Sequence, residues 1–148
     1  MDEKFADHVE ALVPAYEALM ASGELPGEKV CGVYLFIEDG KPLYVGRSRD
    51  IRRRYGWHCS GDHNQATFAF LLARQQTGYL TASYARGEGS RRWLLEHVPF
   101  AAAFSEAKQR IKRMSLHWVK EEDATRQALI EIYCSIALET PYNSFKTT

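Results

Sequence analysis

Gly32-Val33-Tyr34-Leu35-Phe36-Ile37-Glu38-Asp39-Gly40-Lys41-Pro42-Leu43-Tyr44-Val45-Gly46 is the stretch on which the fold turns. Val30 to Ile37 is rich in Val, Tyr and Phe and reads as a strand. Glu38-Asp39-Gly40-Lys41 carries the Asp-Gly signal of a tight hairpin, and Leu43 to Gly46 reads as the return strand. Turn chemistry alone therefore sets Tyr34 and Tyr44 on neighbouring antiparallel strands. Gly46 reads as the point where the chain leaves the strand.

Working outward, Ser48 is suited to cap a helix, with Asp50 in its first turn. That helix is expected from about Arg49 to His58, broken by Gly61-Asp62-His63-Asn64. It carries Arg49, Arg52, Arg53 and Arg54, and Arg54 and His58 are one turn apart on a shared face. Ala66 to Gln76 reads as a further helix, and nothing is assigned from Thr77 to Gly89. Arg91 to His97 and Ala102 to Ile111 are read as helical. Met114 to Lys120 alternates and predicts a third strand. Asp123 to Leu138 is the clearest helix, with Leu129, Ile132, Tyr133 and Ile136 expected on its apolar face, closed by Thr140-Pro141-Tyr142-Asn143.

On the other side of the hairpin, residues 3–22 read as helix, with Phe5, Val9, Leu12, Tyr16 and Leu19 near helical spacing. Pro14 either kinks it or opens a second helix, and Gly23 with Pro26-Gly27 ends it. A strand hairpin, helices, one late strand and a final helix make an α+β domain with a small three-stranded antiparallel sheet. The expected division is an acidic helical extension over 1–28 and the main domain over 29–148. The extension is expected to pack on the domain or to join two copies of the chain.

The chain has 148 residues, one domain by size, and its 45% hydrophobic and 26% charged content is that of a folded protein. Cys31, Cys59 and Cys134 are few, odd in number and scattered, which fits a reducing, cytoplasmic setting and no disulfide framework. No apolar run approaches the ~20 residues that span a bilayer, and no membrane role is expected. The net charge of zero hides an asymmetry. Residues 1–28 hold seven acids and one base, so the remaining 120 residues carry +6. A basic body is compatible with phosphate binding, although charge alone does not separate that from a solvated surface.

Gly32-Val33-Tyr34, Tyr44-Val45-Gly46, Arg54 and His58, with Glu131 and Asn143 far downstream, resemble the GIY-YIG endonuclease superfamily. The resemblance runs from about Cys31 to Phe145, with valine for isoleucine in both triplets. It implies a metal-dependent endonuclease acting on DNA, with RNA open as a substrate. Tyr34 would take the proton of the attacking water, with Tyr44 and His58 supporting it. Arg54, ten residues after Tyr44, would clamp the phosphate and stabilise developing charge. Glu131 would hold one Mg2+ or Mn2+, a single carboxylate with waters and phosphate being a common magnesium arrangement. Arg47 falls where some members are basic, and Asn143 would brace the site. Arg49, Arg52 and Arg53 are expected to contact the nucleic-acid backbone.

A free tyrosine ionises near 10, so Tyr34 acts as a base only where neighbouring cations and a metal favour the phenolate. His58, Cys59, Asp62 and His63 fit no closed zinc motif. His117, Trp118, Trp57 and Trp93 are expected to pack. The alternative to an enzyme is a module of the same fold that binds nucleic acid, or serves as a scaffold, without turnover.

Overall fold

The computed structural model describes residues 2–79 and 91–144. Phe145, where the resemblance ends, lies outside them. The element order is α1 Glu3–Glu10, α2 Leu12–Ala21, β1 Gly32–Glu38, β2 Lys41–Ser48, α3 Ile51–Ser60, α4 Thr67–Thr77, α5 Arg91–Glu96, α6 Val98–Lys112, β3 Ser115–Lys120 and α7 Ala124–Ala137. The strands form one antiparallel sheet in the order β2-β1-β3, flanked by helices as the α+β reading expects. Residues 1–54 and 114–148 form one compact unit and residues 55–113 a second, so α3 begins in the first and ends in the second.

The first unit is built on the hairpin. Asp39 and Gly40 both have positive φ, 51° and 78°, the primed-turn geometry that matches strand twist. Val33 and Leu35 face one side of β1 and meet Leu19, Val45, Ile130 and Cys134 in a buried core covered by α2 and α7. Tyr34 and Phe36 face the other side, as strand alternation requires.

Pro14 sits in the first turn of α2, where its missing N–H costs nothing. Two helices therefore form where the sequence shows one long pattern. Leu12, Tyr16 and Leu19 turn to the core, whereas Phe5 and Val9 remain exposed. The His117 imidazole lies 3.0 Å from the Leu19 carbonyl, and the Trp118 indole N–H donates to the Glu24 carbonyl. Both residues thus tie the N-terminal segment to β3. α7 also corrects the expected face. Ile130 and Cys134 are buried, with Gln127 and Ser135, while Ile132 and Ile136 stand exposed.

The second unit, 55–113, packs α4 against α6, with α5 beside α6. Phe70 lies edge-on to Phe100 and Phe104, at 5.1 and 5.9 Å between ring centres, and the Arg74 guanidinium covers the Phe70 ring at 4.7 Å. The Asp62 carboxylate accepts from the Asn64 and Gln65 N–H groups, which fixes the turn into α4. Among the described residues no helix is long and apolar enough to cross a membrane.

Candidate active site

Tyr34 sits in the middle of the central strand, 2% exposed, opposite Gly46 on β2. Its ring lies over Gly46, and a Cβ added there would overlap the phenol. Gly46 is still inside β2, so its part is not to release the chain. Its missing side chain makes the seat for the Tyr34 ring. Gly32 has a parallel reason: a Cβ there would overlap the Val119 carbonyl oxygen of β3. Both terminal glycines of the two triplets are therefore positions of close approach.

The phenol meets Arg54. Asp50, rather than Ser48, caps α3, its carboxylate accepting from the Arg53 N–H at 3.1 Å, while the Ser48 hydroxyl accepts from the Asp50 N–H. That start sorts the arginines by helical phase. Arg49, Arg52 and Arg53 are exposed, and Arg54 is half-buried with its guanidinium hydrogen-bonded to the Tyr34 phenol. Burial pushes the Tyr34 phenol well above its ordinary 10.0, and nearby Tyr44 adds to that. The Arg54 charge and hydrogen bond pull it back down, and Glu131 raises it slightly. Among the protein's own groups around the ring, desolvation outweighs the Arg54 charge, so the phenolate needs more than Arg54 to form.

Glu131 projects from α7, one residue beyond the core Ile130. Its side chain is 20% exposed, and Arg47 Nε lies 4.0 Å from the carboxylate. Desolvation raises the Glu131 pKa, while Arg47 and then Arg54 lower it. Tyr34 on β1 and Glu131 on α7 are far apart along the chain. In space, Tyr34, Arg47, Arg54 and Glu131 share one electrostatic neighbourhood.

Asn143 braces β2 from its outer edge. Its Oδ1 accepts from the Val45 N–H and its Nδ2 donates to the Val45 carbonyl, both at 2.8 Å, and the Thr140 hydroxyl donates to the same Oδ1 at 2.8 Å. The side chain acts as a further strand partner, between Tyr44 and Gly46. Asn143→Ala is expected to cost about 1–3 kcal/mol, because both Val45 groups lose their partner. Asn143→Asp sets a carboxylate oxygen against the Val45 carbonyl where the amide donated, and should cost at least as much; urea melts of the two variants at neutral pH check this.

His58 is fully buried in the second unit, edge-on to Phe68 at 6.5 Å. Cys59 is buried beside it in sequence, and the Asp62 carboxylate is taken up by its own turn. Sequence reasoning named Arg54 and Gly46 but missed the hydrogen bond of the first and the steric reason for the second. An arginine ten residues beyond a strand tyrosine was the available signal; the ring-over-glycine contact had none.

A buried tyrosine held by an arginine, with a carboxylate near by, is the set that the family resemblance expects together. The GIY-YIG catalytic domain matches residues 30–110, over half of the chain, and the chain belongs to this family. Membership implies nuclease activity in general, and GIY-YIG nucleases act on nucleic acids. Glu131 and Asn143 lie beyond the matched residues. Comparison with curated proteins and with solved structures returns no match.

Proposed function

We propose that this protein is a divalent-metal-dependent endonuclease that hydrolyses phosphodiester bonds in DNA. The observation that carries the reading is the Arg54 hydrogen bond to the Tyr34 phenol, with Glu131 close enough to bias the same ionisation. Tyr34 is assigned as the base that takes the proton of the attacking water as the new P–O bond forms and the bond to the leaving oxygen breaks. Tyr44 orients the water. Arg54 holds the phosphate and stabilises the charge that builds on its oxygens. Arg47 supplies a second cation, and Arg49, Arg52 and Arg53 contact the backbone. His58, expected as a support to the base, is buried in the second unit against Phe68 and is given no part in the step.

The donor set fits Mg2+ or Mn2+. Glu131 is a partly buried carboxylate with the Arg47 guanidinium 4.0 Å away, and no group of three or more His, Cys, Asp or Glu that could hold a metal is present among the described residues. One carboxylate completed by water and substrate phosphate suits magnesium rather than a closed protein cage. The ion, when bound, polarises the phosphate and stabilises the leaving oxygen.

The raised pKa of Tyr34 favours one rival, a module of this fold that binds nucleic acid without turnover, since a neutral phenol is no base. Incubating the protein with single-stranded, duplex, branched and RNA substrates, with Mg2+ or Mn2+ and then with chelator, separates the two. Metal-dependent cleavage supports the nuclease; binding with no cleavage supports the rival.

The same ionisation has a consequence for stability. Tyr34 ionises near 10.0 when unfolded and higher when folded. Its contribution is therefore fully present below that pH and is lost as pH rises above it. Tyr34→Phe should lose less stability than the wild type between neutral and strongly alkaline pH, measured by denaturant melts across that range.

A further inference from the structure

We infer that an open groove beside Trp118 receives an unpaired base next to the scissile phosphate, so that the preferred substrate is single-stranded or carries an unpaired nucleotide at the cut. The inference rests on the nuclease reading. The groove has a volume of about 720 Å³ and is walled by residues 21–27 and by Trp118.

Two independent links connect it to the candidate catalytic cluster. Trp118 is the cross-strand partner of Tyr34, so the two side chains leave the same face of the sheet. Arg52 donates to the carbonyl of Pro26, a residue of the groove wall, at 3.1 Å, which holds its guanidinium beside that wall. An aromatic ring that lines the opening and a cation bound to its wall thus lie at one groove. The indole is fixed by its N–H to the Glu24 carbonyl, so its ring plane is ordered before any ligand arrives.

This pairing suits a nucleotide. A base stacks on an indole while the guanidinium takes a phosphate. A base inside a duplex is already stacked on its neighbours and must be splayed out to reach such a face. From Tyr34 on β1 to Trp118 on β3 is one strand spacing, about 5 Å. Stacked nucleotides rise about 3.4 Å each, so the stacked base lies one or two nucleotides from the cut.

Binding of a fluorescent single-stranded oligonucleotide is measured by anisotropy with chelator present, so that no strand is cut. Trp118→Leu should weaken it about 5- to 100-fold, the scale of one lost stacked base. Trp118→Phe should retain most of the affinity, and duplex binding should change little. An abasic-site scan with the wild-type protein keeps the test independent of folding: one position should reproduce the Trp118→Leu loss, and that position should cost the variant nothing further. Equal losses on duplex and single strand, or a flat scan, overturn the stacking site while leaving the nuclease reading intact. A wild-type protein that neither binds nor cleaves any nucleic acid overturns both.

Discussion

Glu131→Gln is expected to lower metal-dependent cleavage by at least about 10²-fold, since metal stabilisation of the transition state is worth several kcal/mol. DNA affinity in the presence of chelator should stay close to wild type, because the backbone contacts are assigned to arginines of α3 and its approach. The variant should also lose binding of Mn2+ in calorimetry. Its stability without metal is the informative control. Desolvation already disfavours the Glu131 charge, so a neutral amide should leave the melting temperature unchanged or raise it. Undiminished turnover by the variant would remove Glu131 from the mechanism, and a large fall in stability would reassign it to the fold.

Arg54→Ala should lower single-turnover cleavage by about 10²-fold or more, the scale seen when a donor to transition-state charge is removed. It should also move the rising limb of the pH–rate profile. Arg54 lowers the Tyr34 pKa against burial. Without it the phenol ionises at still higher pH, and the rate should start to rise later. Arg52→Ala and Arg53→Ala should instead weaken binding, each flattening the dependence of log affinity on log salt by about one unit. Equal behaviour of all three variants would mean that Arg54 is one more surface contact. An unshifted profile with a slower rate would leave Arg54 as a clamp with no part in tuning Tyr34.

The hairpin was legible because its information is local. Asp39-Gly40 specifies the turn and so the pairing of Glu38 with Lys41 and of Ile37 with Pro42, but a bulge between Phe36 and Ile37 then shifts the register by one, and that shift, which the turn does not encode, sets Tyr34 opposite Gly46. Arg54 was legible for a similar reason, since ten residues of strand end, cap and first helical turn leave little freedom in where it falls. The N-terminal helices were visible as one apolar pattern, but a single pattern cannot tell which of its residues meet a core. Leu19 does and Phe5 does not. The same limit reversed the reading of α7, where Ile132 and Ile136 look like core residues and yet Ile130 and Cys134 are the buried pair.

Local pattern thus determined the strands, the turn and the basic helix, because each rests on contacts between near neighbours in the chain. Tertiary structure alone decided how Asn143 comes to bond both Val45 backbone groups, how Glu131 comes within 4.0 Å of Arg47, and which way the Tyr34 ionisation moves. Those depend on burial and on pairs of residues far apart in sequence. Spacing fixes which residues are close along a strand or helix, but desolvation is set by everything packed around a group, and only the folded chain supplies that.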